Sequence, residues 1–116
     1  MATISKHILS GSTYGQPISV AATGTPGTTI HTTGTSATTI DEIWLYATNN
    51  DTFERNLTIE YGSGSISLAI PSKSGLSIVL AGLVLTGSGS AGTVVKAFGS
   101  AANQILITGY VNRITP

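Results

Sequence analysis

The chain has 116 residues, a length that suits one domain and leaves no room for a second. Only 9% of the residues are charged, cations and acids balance at five each, and cysteine is absent. This composition argues against nucleic-acid binding, because phosphate affinity needs clustered Lys and Arg, and it excludes disulfides and thiolate chemistry. A neutral surface also lacks the repulsion that keeps free monomers apart, which indicates that other protein surfaces cover much of it.

The N-terminal segment is predicted as an extended arm over residues 1–15, ahead of a single domain over residues 16–116. The alternative for residues 1–10 is a further strand. The segment lacks the apolar core of a signal peptide, and the most apolar stretch, 76–85, is too short to span a bilayer. We therefore expect a protein that is made in a cytosol and has no membrane partner.

Apolar and polar side chains then alternate along most of the chain, which predicts half-buried antiparallel strands. Ile43 and Leu45, for example, share one face of a strand, and Trp44 lies on the other. No stretch has the 3.6-residue period of a helix, and turns rich in Gly, Asn and Pro separate the runs. Eight or nine strands are predicted, in chain order at 16–22, 28–33, 38–48, 54–61, 65–70, 76–80, 83–86, 93–98 and 104–113.

These strands predict an all-β fold with essentially no helix. We expect an antiparallel β-sandwich, jelly-roll-like or Ig-like, because two sheets give the inward faces a shared core. The predicted core consists of Ile43, Leu45, Leu57, Ile59, Ile66, Leu68, Ile70, Ile78, Leu80, Val95, Ile105 and Ile107.

One glycine-rich segment, Gly87 to Gly92, matches the G-x-G-x-x-G pattern of dinucleotide-binding loops. That chemistry needs a helix directly after the loop, so that the helix N-terminus meets the pyrophosphate. Residues 93–98 have the pattern of a strand instead, which favours a flexible hairpin loop. We predict no cofactor.

The residues that could support catalysis or bind a metal form no recognisable pattern. His31 lies in a Thr-rich strand, where an ordinary hydrogen-bonded histidine is the norm, and His7 lies near the terminus. Asp41 and Glu42 point to opposite faces of a strand, and we interpret them as its solvated start. No serine stands at a strand-to-helix elbow, and no ligand spacing is present. The sequence therefore predicts a protein with no catalytic, cofactor-binding or metal-binding residues.

Aromatic side chains are the candidates for a binding surface. Several of them lie in strands with apolar or aromatic residues on both faces, more than one small core needs. We predict an interface with other protein chains at Trp44, Tyr46, Phe98 and Tyr110. The alternative is a platform on which sugars or single-stranded nucleic acids stack.

Five runs of sequence carry a resemblance. GTTIHT at 27–32, DEIWLYATN at 41–49, LTIEYG at 57–62, IPSKSGL at 70–76 and GYVNRI at 109–114 resemble a recurring group of small virion proteins encoded by tailed bacteriophages. The resemblance covers most of residues 27–114 and contains no catalytic motif. It implies a β-sandwich structural subunit that is present in many copies on the particle.

We accordingly expect a non-enzymatic virion structural protein, made in the host cytoplasm. The favoured role is a capsid decoration, or cement, protein that stabilises the head shell. Its expected partners are other virion proteins, such as the major capsid protein, and copies of itself. A homotrimer is favoured by analogy, since three-fold junctions recur on icosahedral shells. The alternatives are a neck or tail accessory protein and a host-surface carbohydrate-binding module.

Overall fold

The computed structural model describes residues 2–116, and these residues form nine strands and no helix. The strands follow the alternation of apolar and polar side chains along the sequence. The predicted all-β class is confirmed. The strands are β1 (Thr3–Ile8), β2 (Ile18–Ser19), β3 (Thr28–Thr32), β4 (Ile40–Asn49), β5 (Arg55–Tyr61), β6 (Gly64–Ile70), β7 (Ser77–Leu85), β8 (Val94–Gly99) and β9 (Ile105–Thr115). Among the described residues there is accordingly no helix that could cross a membrane.

The strands form the two antiparallel sheets of a β-sandwich. The first sheet has the order β1-β9-β4-β7, and the short β2 also pairs with β9. The second sheet has the order β3-β8-β5-β6. β4 and β9 pair over ten consecutive positions and form the centre of the first sheet.

The N-terminal segment forms a strand instead of a free arm. β1 pairs with β9 at six positions, and Leu9, directly after it, is buried in the core. β9 continues to Thr115, past its predicted end at residue 113, and so offers β1 an edge. Of the predicted arm over residues 1–15, the part from Thr3 to Leu9 therefore belongs to the sandwich, as the alternative prediction of a further strand describes, and Met1 lies outside the described residues.

Most of the predicted core residues are buried between the sheets, namely Ile43, Leu45, Leu57, Ile59, Ile70, Leu80, Val95, Ile105 and Ile107. Ile66 and Leu68 of β6 are only half-buried, because β6 is an edge strand, but they pack against the core. The core also contains four residues from the first third of the chain that were not among the predicted core residues, namely Leu9, Ile18, Val20 and Ile30. Each such buried aliphatic side chain stabilises the fold by about 1.5–3 kcal/mol.

One core prediction is wrong, because Ile78 is 59% exposed. Leu45 lies opposite Leu80, but the next residue of β4, Tyr46, lies opposite Ile78, so β7 contains an extra residue at this point. Such a bulge reverses the alternation and turns Ile78 outward. A second register shift occurs near Gly82, and the two predicted strands at 76–80 and 83–86 are one bulged strand.

Candidate interaction surface

The outer face of the first sheet carries partly exposed aromatic side chains and four of the large apolar side chains that are exposed among the described residues. We call this surface the aromatic face, and it comprises Ile4, Lys6 and Ile8 of β1, Tyr110 and Asn112 of β9, Glu42, Trp44 and Tyr46 of β4, and Ile78, Ala81 and Val84 of β7. The register places these side chains on one side of the sheet, since directly opposed residues share a face. The surface thus runs across β1, β9, β4 and β7, from one edge of the sheet to the other.

Trp44 and Tyr110 form the centre of the aromatic face. They lie directly opposite each other on β4 and β9, with ring centroids 6.2 Å apart and planes within 11° of parallel. The indole Nε1 donates a hydrogen bond of 2.7 Å to Glu42 Oε1, which also accepts one of 3.2 Å from Asn112 Nδ2. A Cβ added at Gly82 would lie 3.4 Å from the indole, so the backbone of β7 lies close beside the ring. These contacts hold the indole in one orientation.

The ionisable side chains at the centre of the aromatic face are Glu42, Tyr46 and Lys6, and each contacts a neighbouring ring or polar group. Hydrogen bonds from Trp44 and then Asn112 lower the pKa of Glu42 and keep its carboxylate ionised. Desolvation, together with the nearby Tyr110 phenol, raises the pKa of Tyr46 and keeps its own phenol neutral. The ammonium of Lys6 lies 4.8 Å from the centre of the Tyr110 ring, a cation–π contact.

Apolar side chains flank the aromatic centre on both edge strands. Ile4 and Ile8 on β1 are 69% and 53% exposed, and Ile78 and Val84 on β7 are 59% and 53% exposed. Scattered exposed hydrophobic residues are ordinary, whereas a contiguous set around ordered aromatic rings is typical of a protein-binding surface. The aromatic face is therefore a candidate docking surface.

Three of the four predicted interface residues lie together on this surface. Trp44, Tyr46 and Tyr110 belong to it, whereas Phe98 of β8 lies on the second sheet, opposite Thr58 of β5. Phe98 therefore belongs to the other side of the molecule, and the predicted set does not form one site. The interface role of the three remains a prediction.

A buried ion cluster joins the sheets, and sequence reasoning missed it. Asp41 is only 1% exposed, so its interpretation as a solvated start of a strand is wrong. Arg113 Nε and Nη2 donate to its two carboxylate oxygens at 2.8 and 3.0 Å, and His31 Nε2 lies 2.9 Å from Oδ2. Burial alone would raise the pKa of Asp41, but hydrogen bonds from Arg113 and His31 and the charge of Arg113 lower it overall. The carboxylate is thus held ionised between two sheets.

The same cluster shows how both nitrogens of His31 are used. The backbone N–H of Ser10 donates to Nδ1 at 3.1 Å, so Nδ1 carries a lone pair and Nε2–H donates to Asp41. The Ser10 hydroxyl instead accepts from the backbone N–H of Thr32 at 2.7 Å. Although Ser, His and Asp meet here, no ring nitrogen is free to take a proton from a hydroxyl, so the geometry is that of a structural link. Within residues 2–116 no three acidic or histidine side chains come together as a metal site.

A shallow cleft of about 450 Å³ lies on the second sheet, between the loop at Thr25–Pro26 and the ends of β5 and β8. Its acidic group, Glu60, already accepts hydrogen bonds from Thr25 Oγ1 at 2.9 Å and from the Gly27 N–H at 3.2 Å. Gly92, at the end of the glycine-rich segment, also lines the cleft. That segment connects β7 of the first sheet to β8 of the second and a strand follows it, so the predicted loop is present, but it is not a hairpin because the two strands do not pair.

No protein-family model, curated protein or solved structure matches the chain at a significant level. A function for the chain therefore has to be inferred from its own sequence and surfaces.

Proposed function

We propose that the chain is a non-enzymatic structural protein of a tailed-phage virion, a capsid decoration protein that binds the head shell through its aromatic face. The observation that carries the proposal is this face, where Trp44 and Tyr110 are held in place between exposed apolar side chains on both edge strands. The runs of sequence that resemble small virion proteins support the same assignment. We further propose that the chain is made in the host cytoplasm and acts on the particle.

The size of the aromatic face suits this role. Four strands about 4.8 Å apart, with central strands of about ten residues, cover roughly 19 by 33 Å, or about 600 Å² of flat area. Side-chain relief raises the accessible area toward the roughly 800 Å² per partner that a stable interface buries. Trp and Tyr are also the side chains that most often dominate binding energy in such interfaces.

The proposed partners are shell proteins, such as the major capsid protein, and copies of the chain. A homotrimer is the proposed assembly, because three-fold junctions recur on icosahedral shells. Low net charge supports association with itself and with the shell, since no electrostatic repulsion must be overcome.

Binding to particles tests the proposal directly. Purified chain is added to heads of the phage that encodes it, after bound copies have been stripped, and pelleted protein is measured. Trp44→Ala should weaken binding at least about tenfold, as expected for a buried interface tryptophan. Phe98→Ala is the matched control, an aromatic residue on the opposite sheet, and should bind normally. Circular dichroism verifies that both variants fold.

Imaging of native particles with an antibody against the chain supplies the second readout. Labels on the head support a decoration protein. Labels confined to the neck or tail would exclude it and support the accessory-protein alternative. Equal losses for Trp44→Ala and Phe98→Ala would contradict binding through the aromatic face.

A carbohydrate-binding module is the second candidate function. The observation that favours it is the placement of Glu42, Asn112 and Lys6 beside the rings of Trp44 and Tyr110, since sugar sites combine aromatic rings with polar groups. A glycan array with purified chain separates the two functions. Reproducible binding that Trp44→Ala abolishes and Phe98→Ala leaves intact would favour the sugar-binding module.

A further inference from the structure

The free edges of the two sheets differ in how they are protected from pairing with another chain. An edge strand presents unpaired N–H and C=O groups, which proteins block with charges, bulges or covering loops. β1 carries Lys6 in its middle, and β7 is bulged twice, with Gly82 at φ +77°. β3 contains a register shift, and the N–H of Gly11 covers it by donating to the Ile30 carbonyl at 3.0 Å. Three of the four edges are therefore blocked.

β6, the fourth edge, has none of these protections. Its sequence, Gly-Ser-Ile-Ser-Leu-Ala-Ile, contains neither charge nor proline. It pairs with β5 at seven consecutive positions without a register shift, and no other strand of the described chain pairs with it. Such a regular, uncharged and uncovered edge is a template for an added strand.

The backbone groups that face this open edge can be identified. Asn56 of β5 exchanges hydrogen bonds of 3.0 Å with Ser100, on the side of β8, so its own N–H and C=O point away from β6. Backbone direction alternates along an antiparallel strand, so Leu57 and Ile59 bond to β6. By the same alternation, the residues of β6 whose N–H and C=O face the open edge are Ser65, Ser67 and Ala69.

We propose that two copies of the chain pair through β6, antiparallel about a two-fold axis at Ser67. In this register Ser67 lies opposite its own copy, and Ser65 lies opposite Ala69 of the other copy. All three outward-facing residues are then used, which gives about six backbone hydrogen bonds across the axis. A register centred at Ile66 or Leu68 uses fewer of them. If the register between the two copies shifts by one residue, apolar side chains of one β6 lie opposite serines of the other. The inner face of one sheet then continues into the outer face of the other.

The side chains fit the same arrangement. Ile66 and Leu68 are half-buried on the inner side of β6. Across the axis, Ile66 of each copy would lie opposite Leu68 of the other. The second copy would cover their exposed parts and continue the core from one sandwich to the next. On the outer side only Ser and Ala meet, so neither charge repulsion nor steric conflict opposes the contact. This two-fold contact is separate from the three-fold assembly proposed above and does not depend on it.

Single cysteines test the register, because the chain has none of its own. The proposed axis places the two copies of residue 67 about 5.5 Å apart, within reach of a disulfide, and the two copies of residue 65 roughly 14 Å apart. Ser67→Cys should therefore form a covalent dimer on mild oxidation at least about tenfold faster than Ser65→Cys, its matched control on the same edge. Equal rates, or a faster reaction of Ser65→Cys, would overturn the proposal.

A charge at the axis tests the contact without a cross-link. Ser67→Lys places two ammonium groups directly opposite each other, and its weight-average mass in sedimentation equilibrium should be about half that of the unmodified chain. Ser5→Lys, the same change on the blocked edge β1, should leave the mass unchanged. An unmodified chain that stays monomeric at the highest soluble concentration would refute the contact, as would an equal mass for Ser67→Lys.

Discussion

The inner and outer faces of β4 each carry one carboxylate, and their surroundings differ. Asp41, on the inner face, is buried between Arg113 and His31, so its partners come from both sheets of the chain. Glu42, on the outer face, binds Trp44 and Asn112 at the surface. Both carboxylates have a lowered pKa, but only the first links the two sheets.

The inner and outer faces of β4 differ along the whole strand. Ile43, Leu45 and Ala47 on the inner face are fully buried, whereas Trp44 and Tyr46 on the outer face are half-exposed. An antiparallel sheet needs only one apolar face to build a core, so the apolar outer face is not required by the fold. We therefore expect inner-face changes to alter stability and outer-face changes to alter binding.

The largest expected effect is that of Asp41→Asn on the inner face. Removing one partner of a buried ion pair usually costs about 3–5 kcal/mol, and the lower end applies here because Arg113 reaches solvent. Urea unfolding should therefore give a free energy of unfolding reduced by about 3 kcal/mol. Glu42→Gln is the matched control on the outer face and should cost much less. Similar losses for both variants would remove the distinction between the faces.

Acid should reproduce part of this loss in the unmodified chain. Because the folded-state pKa of Asp41 lies below its ordinary 3.8, the unfolded chain binds this proton more readily. The stabilisation is therefore complete above about pH 3.8 and is lost as the pH falls below it, through the lowered folded-state value. Urea unfolding at several pH values should show a steep loss in this window that Asp41→Asn reduces. An unchanged slope in this variant would contradict the assignment.

Local alternation predicted the sheets and most of the core, because a period of two depends only on the strand itself. The same alternation also indicates the buried ion cluster, although the sequence prediction did not include it. Asp41 shares its face with Ile43, and Arg113 shares its face with Val111, so both charges were due to point inward. Two opposite charges on buried faces predict a pair, but the contact between β4 and β9 requires the topology.

Other features could not be obtained from the local pattern. Ile78 was assigned to the core because a bulge cannot be recognised from alternation alone. Phe98 was grouped with Trp44 because nothing in the local sequence shows that β8 and β4 belong to different sheets. The candidate interface residues were chosen by residue type, but whether they lie together depends on strand order.

A smaller effect is expected at Gly82, where the bulge of β7 meets the aromatic face. Gly82→Ala places a side chain at φ +77°, which costs about 1–2 kcal/mol, and its Cβ would contact the indole of Trp44 at 3.4 Å. Trp44 is the only tryptophan, so its fluorescence should change. Gly75→Ala is the matched control, at φ +79° with no atom within 4 Å of the added Cβ. It should lose similar stability with unchanged fluorescence, and a spectral change in the control would contradict the contact.

The smallest expected effect concerns Lys6 and Tyr110, the cation–π pair that lies on the outer face between β1 and β9. An exposed pair of this kind contributes about 0.5–1 kcal/mol. A double-mutant cycle of Lys6→Met and Tyr110→Leu, measured by urea unfolding, isolates the coupling from the other losses of each variant. A coupling above about 2 kcal/mol would be that of a desolvated contact. It would mean that the outer face helps to hold β1 in the fold, and the separation between a stabilising inner face and a binding outer face would fail.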